Sequence, residues 1–306
     1  MLPFAMQRLT QAVFALLGVS FVVFLSLYLA PGDPALLLAG PQAESSQVEA
    51  IRERYRLGDP LILQYTTWLS RVIQGDLGTS FRGGRSVWSD VARAYPISLT
   101  LASIALLLAI TVGIPAGVLA ATRRNTAVDF GIMAGAVAGI SIPTFWLALM
   151  LVLLFSLELR ILPSSGWGTV RHAVLPVFCL SLSSLALIAR MTRAVMVETL
   201  AQDFVRTARA KGLGEPRIRY GHALANALLP IITIVGLRFG LLAGGAVIIE
   251  TVFAIPGMGT MIVRGVSARD FPVVQGGVLI IALTISLVNL LVDLLYAALD
   301  PRIRYT

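Results

Sequence analysis

Six apolar blocks, separated by charged segments, dominate the chain. The first runs from Leu9 to about Ala30. The second lies between Arg93 and Arg123 and starts near Tyr95. The third follows Asp129 to about Leu157, and a short fourth lies between Arg171 and Arg190. The fifth extends from about Ala225 to Ala254 and is interrupted by Arg238. The sixth runs from about Val273 to Leu299 with Asp293 near its end. A helix needs ~20 apolar residues to cross the hydrocarbon core of a bilayer. Helices satisfy their own backbone polar groups there, and the alternating strands of a barrel are missing. The pattern therefore predicts an all-α integral membrane protein with six transmembrane helices.

Composition agrees. Of 306 residues, 57% are hydrophobic and 13% charged, about half the charge of a soluble domain. The net charge is +8, but no clustered basic face points to nucleic acid. Basic residues mark orientation instead. Arg8, Arg123, Arg124, the stretch around Arg206, Arg209, Lys211, Arg217 and Arg219, and the tail residues Arg302 and Arg304 fall on one side of a six-span topology. By the positive-inside rule that side is cytoplasmic, so both termini are expected inside. The first loop is too long for its arginines to count. The run Leu9–Ala30 is long for a signal peptide and Pro31 follows it, so an uncleaved span is expected.

The expected organisation is a cytoplasmic segment 1–8, a first span 9–30 and an extracytoplasmic loop domain 31–94. A membrane core 95–302 with a cytoplasmic loop 196–228 and a tail 303–306 complete it. In the loop domain Gln47–Tyr55 reads as a short amphipathic helix. Gly58-Asp59-Pro60, Gly75-Asp76 and Gly83-Gly84 read as turns.

Enzymatic chemistry finds little support. The two histidines, His172 and His222, sit at membrane borders with no paired metal ligands, so no catalytic or metal site is expected. No phosphate-binding loop is present, so any ATP-driven role would need a separate subunit. The single cysteine, Cys179, lies in an apolar run and reads as a small packed hydrophobe.

The most informative stretch is the basic loop. An Ala-rich helical start is broken by Gly212 and Gly214, then Glu215-Pro216 open a new helix and Pro230 sits early in the fifth block. Periodicity alone leaves two readings, an ordinary basic loop or a short helix for a partner's groove. Thr207-Ala208-Arg209-Ala210-Lys211-Gly212-Leu213, followed by Asn226-Ala-Leu-Leu-Pro230, resembles the EAA loop of ABC importer permeases of the dipeptide/oligopeptide/nickel family. The similarity extends along the chain through Leu29–Pro34, Gly75–Ser80, Ile140–Trp146, Glu250–Gly259 and Asp300–Tyr305. The long first loop resembles the B-type subunit, and Leu38-Ala39-Gly40-Pro41 resembles glutathione-type members.

The resemblance implies a type I importer fold in a bacterial inner membrane. It implies a heterodimer with a second permease, two ATP-binding subunits and an external solute-binding protein. The cargo implied is short peptides, with glutathione or nickel chelates as alternatives. Arg206, Thr207, Ala208, Arg209, Ala210, Lys211, Gly212, Leu213, Gly214, Glu215 and Arg217 are then the expected ATPase-coupling residues, with a coupling helix over Leu213–Tyr220. Ionisable residues at membrane depth default to functional candidates, so Arg238, Glu250 and Asp293 are candidates for the path or its gate. Structural pairing is the rival role for each. Gly240 and Gly244 join them, lying with Gly236 on one helical face that fits close packing or a moving path lining. A gradient-driven transporter or channel is the rival of another class. It would show inverted repeats with broken helices, and no convincing pair is found. An intramembrane protease would need a Ser–His pair, paired Asp residues or a metal motif at membrane depth, and none is seen.

Overall fold

The structure is a computed structural model describing residues 2–29, 33–40, 42–54, 56–81 and 83–299. Residues 30–32 of the expected exit turn, Pro41, and the tail 300–306 with Arg302 and Arg304 lie outside the described residues. The described residues form helices α1 (Leu2–Leu29), α2 (Pro34–Ala39), α3 (Ser45–Arg54), α4 (Leu61–Ile73), α5 (Val87–Thr122) and α6 (Ala127–Ser141). Next come α7 (Thr144–Leu151), which widens into π-helical turns over Val152–Glu158, then α8 (Val170–Leu200) and α9 (Asp203–Ala210). A π-helical lead Arg217–Ala223 enters α10 (Leu224–Gly245), followed by α11 (Val247–Val252), α12 (Met258–Ala268) and α13 (Phe271–Leu299).

Five helices are long and apolar enough to cross a membrane alone, and α6 with α7 makes a pair bent by 97°. The packing of α5 and α8 decides what that pair does. Leu101, Ala102 and Ala105 near the start of α5 pack with Leu175, Val177 and Cys179 near the start of α8. Val118 and Ala121 at the end of α5 pack with Met196 near the end of α8. The two helices are therefore parallel, and the chain must recross between them. Only α6–α7 is available, so the pair is one broken crossing and the total is six among the described residues.

Several boundaries differ from expectation for identifiable reasons. The third crossing, in which Pro143 reads as a kink point, is two helices: Ile142 takes extended φ/ψ (−74°, 122°) ahead of Pro143, the N-cap of α7. Proline disfavours the helical region for the residue before it. The fourth was expected to be short, but α8 runs 31 residues, because its charged second half leaves the apolar layer and stays helical. The second begins at Val87, ahead of Tyr95. Cys179 is buried in the core, as a small hydrophobe would be.

Glycine sets how closely α5 and α8 approach. A Cβ on Gly117 would lie 2.5 Å from Ala189 O, and one on Gly113 would lie 2.9 Å from Leu185 O. Such small-residue stripes let helix backbones meet where the hydrophobic effect gives no drive. At one end of the bundle Arg8 of α1 meets Asp293 of α13 at 3.3 Å, so the start of α1 and the far end of α13 share a side. The opposite end carries α2–α4 and α12. There α4 packs on α1 through a cluster of Phe21, Phe24, Tyr28, Tyr65 and Trp68, with Tyr65 Oη 2.7 Å from Ser20 Oγ.

Candidate functional site

The basic stretch folds into an elbow. Helix α8 ends at Leu200, Gln202 turns extended, and α9 starts at Asp203. The buried face of α9, Val205 and Ala208, packs on Ile218, with Phe204 and Leu213 closing the sides. Its other face is open: the Arg206 side chain is 77% exposed and that of Asp203 94%. This amphipathic split is what separates α9 from the helices around it.

The turn after α9 is a Schellman motif. Leu213 N donates to Ala208 O (3.3 Å) and Gly212 N to Arg209 O (2.9 Å), while Gly212 holds φ +78°. Those bonds cap the last carbonyls of α9, and the left-handed residue between them is one that glycine adopts at little cost. Glu215 straps the turn, accepting from Arg209 Nε at 2.8 Å and Arg219 Nε at 3.0 Å. The Arg209 guanidinium first, and Arg219 second, hold its carboxyl below the usual carboxylate range.

The short free helix was expected over Leu213–Tyr220. It is Asp203–Ala210 instead, and Arg217–Ala223 is the root of the fifth crossing. Pro216 at the helix start permits this continuation, because its missing N–H falls among donors left unpaired there anyway. The root is anchored: Ala223, Ala227 and Ile231 pack with Val118, Ala121 and Met196. All the expected coupling residues thus fall in one compact elbow hung from α8 and α10. Thr207, Arg209, Ala210, Lys211, Gly214 and Arg217 are exposed on it and Leu213 is half-buried.

Behind the elbow lies a contact that the reading of the sequence missed. Arg193 of α8 grips Asp129 of α6 with both nitrogens, Nε–Oδ1 at 2.5 Å and Nη2–Oδ2 at 2.6 Å, and Asn125 N adds 3.0 Å. The Asp129 side chain is 2% exposed. The signal was present: a lone acid opening an apolar helix needs a cation, and α8 carries Arg190 and Arg193.

The membrane-depth candidates do not converge. Glu250 is fully buried and accepts from Ser98 Oγ (2.5 Å), Gly259 N (2.7 Å) and Thr260 N (3.2 Å). It caps the N-terminus of α12, where backbone donors and the helix dipole favour an anion. Asp293 pairs with Arg8 at the other end. Gly240 and Gly244 face Ile285 of α13, the latter also Ile281, which is close packing. Arg238 is half-buried in α10 and makes no ion pair among the described residues.

Comparison with known proteins fits this architecture. Residues 113–305 match the family described as binding-protein-dependent transport system inner membrane component, and residues 1–102 match its N-terminal companion. A Brucella abortus protein named as a peptide transport system permease is 42% identical over 308 residues, covering 98% of each chain. The glutathione transport system permease protein GsiC of Escherichia coli K12 is 41% identical over 305 residues, covering 100% of both. Among solved structures, an inward-facing MetNI methionine ABC transporter chain superposes with TM-score 0.57 at 18% identity, over 69% of this chain and 96% of that one.

Proposed function

We infer the function from one premise: the chain belongs to the family of binding-protein-dependent transport system inner membrane components. It is the permease subunit of an ABC importer, an inner-membrane multi-pass protein that works with ATPase subunits and a solute-binding protein. Its cargo on this reading is short peptides. The peptide permease of Brucella supports that choice, and the likeness to GsiC supports glutathione, itself a short peptide, as the second reading.

The observation that carries the mechanism is the elbow. A short helix with one face buried on its own bundle and the other open is suited to receive another protein, and its placement beside the roots of α8 and α10 ties it to two crossings. On this reading α9 and the Lys211–Arg217 turn seat in the ATPase subunit, Arg206 and Lys211 touch it, and the elbow end of the bundle is cytoplasmic. Both chain ends then face the cytoplasm. ATP and Mg are held by two ATPase subunits, and a second, homologous permease completes the path. Closure of the ATPase pair moves the elbows, and through them biases the bundles between two states. Arg238, without an ion pair among the described residues, stands as the candidate for contact with cargo carboxylates in the path.

The test is uptake into proteoliposomes holding the assembled complex with its binding protein. ATP-dependent import of labelled short peptides supports the reading. Uptake by this chain without ATPase subunits would instead point to a gradient-driven carrier.

A further inference from the structure

At the end opposite the elbow, α4 lies across the ends of two crossings. Gln64, near its start, accepts from the hydroxyl of Tyr28 in α1. Gly78, just past its end, sits against Pro272 at the start of α13, where an added Cβ would lie 3.3 Å away. Gln275 of α13 donates to Val23 O of α1 at 3.2 Å, so the ends of α1 and α13 stand at about one level. Both ends of α4 are tied to that level, and its axis runs along the membrane plane.

At about 100° per residue, Leu61, Ile62, Tyr65, Leu69, Val72 and Ile73 fall within an arc of about 120°. Tyr65, inside that arc, shows where it points. Its ring meets Phe21 and Phe24 at 5.3 and 5.5 Å between centroids, and its hydroxyl lies 3.3 Å from Leu17 O. Leu17 is ~18 Å from Leu29 along α1, so the arc looks down α1 toward the middle of the apolar layer. The opposite face carries Thr66, Ser70 and Gln74, interrupted by Leu63. Arg71, the one charged residue of α4, turns with Gln64 toward the bundle.

The arc is largely bare: Leu61 is 49% exposed, Ile62 66% and Ile73 77%. It continues an exposed stripe of α1 made by Phe14, Leu17 and Phe21. Among the crossings α1 packs chiefly on α13, so that stripe looks out of the bundle into lipid. Trp68 meets Phe24, which lies ~7 Å below Leu29 along α1. Interfacial helices bury their apolar faces ~5–10 Å into the boundary of headgroups and acyl chains, and Trp and Tyr favour that layer. A docked protein fits the arc less well. The Tyr65 hydroxyl is already engaged by Ser20, and the other five side chains offer no hydrogen-bonding group to a polar rim.

We propose that α4 is an interfacial helix whose partner is the lipid surface, with Ile62, Leu69 and Ile73 sunk among the acyl chains of the outer leaflet. The stretch 31–94 then dips back into the membrane at α4. Leu77, just beyond, packs with Val87 of α5 and Val273 of α13, so the same mooring reaches the outer ends of those crossings. The choice of leaflet rests on the orientation proposed above; the insertion does not.

The experiment uses the assembled permease–ATPase complex in lipid nanodiscs, with the buried Cys179 replaced by alanine and a single spin label on I62C, T66C, L69C, S70C, I73C or Q74C. Collision rates are read with oxygen, which concentrates in lipid, and with a nickel chelate, which stays in water. I62C, L69C and I73C are expected to favour oxygen and to sit ~5–10 Å below the headgroup boundary. T66C, S70C and Q74C should reverse the preference. I62C and I73C alter exposed side chains, so they carry the test even if L69C perturbs the fold. Nickel access at both faces overturns the proposal by standing α4 in water. Low access to both reagents at I62C and I73C overturns it by placing a protein on the face. An impermeant thiol reagent applied to S70C in sealed vesicles separates the two levels. Labelling from the elbow side overturns the orientation alone, while the oxygen and nickel pattern still supports insertion.

Discussion

Replacing Gly212 by valine tests the elbow at its least tolerant backbone position. Gly212 holds φ +78° inside the Schellman turn, and a Cβ there would meet nothing within 4 Å. Steric clash with neighbours is thus absent, and the cost is conformational. A non-glycine residue in the left-handed region costs ~1–2 kcal/mol, and a β-branched one lies at the upper end because its side chain crowds the backbone. That shifts the ratio of closed to open turn by about 5- to 30-fold. The open turn loses the bonds Leu213 N–Ala208 O and Gly212 N–Arg209 O, and α9 loses its fixed angle to the bundle. The assay is peptide uptake per ATP hydrolysed in proteoliposomes. G212V should lower that ratio, G212A should fall between, and G212N should stay near wild type because asparagine enters the left-handed region readily. Equal ratios for G212V and G212N would refute the claim that the geometry of this turn couples the two activities.

Other outcomes follow from the same geometry. D129N leaves the Arg193 guanidinium without its carboxylate and should destabilise the folded protein by ~3–5 kcal/mol, the usual cost of breaking a buried pair; the double variant D129L/R193M should recover most of the thermal midpoint. G117V forces a side chain against Ala189 O, where a Cβ already reaches 2.5 Å, and should lower the midpoint by ~1–3 kcal/mol of overpacking, whereas G135A, with nothing within 4 Å, should be silent. Because Glu215 is held below its ordinary value of 4.5, its contribution is present at neutral pH and lost as pH falls through the lowered folded value. Amide exchange at Gly212 and Leu213 should therefore stay slow down to pH 4.5 and rise below it, and E215Q should show the fast behaviour at neutral pH.

The number of crossings was legible because lipid demands long apolar runs, and each run is flanked by charge. The basic stretch was legible as a break because Gly212 and Gly214 interrupt an alanine-rich helix. What stayed hidden depends on who packs against whom. That Arg217–Ala223 is a root of α10, and not a separate helix, follows from Ile218 and Ala223 being buried against α9, α5 and α8, and no local pattern announces that. Glu250 read as a gate or a structural cap, because an acid near a membrane border is unusual and local sequence does not choose between the two. Its partners, Ser98 and the first turn of α12, lie up to 152 residues away in sequence.

Those distant partners also bear on how a push at the elbow reaches the other end. Helix α5 has 36 residues, ~54 Å of helix, and contacts both α10 and α12. Near its end, Val118 and Ala121 pack on the root of α10 behind the elbow. Near its start, Ser98 holds Glu250 and Met258 N together, fixing the angle of α12. Between the two, Gly113 and Gly117 lock α5 to α8 at backbone distance, so the pair moves as one body and does not shear. Packed cores of this kind respond to strain by discrete repacking and not by smooth bending. An elbow shift therefore arrives at the opposite end as a displacement of α5 relative to α12, and the joint under load is the Ser98–Glu250 bond. S98A keeps the fold of each helix but removes that joint. It should leave elbow-driven ATP hydrolysis intact while weakening the response of a spin-label pair across α5 and α12 to ATP. An unchanged response in S98A would place the transmission elsewhere.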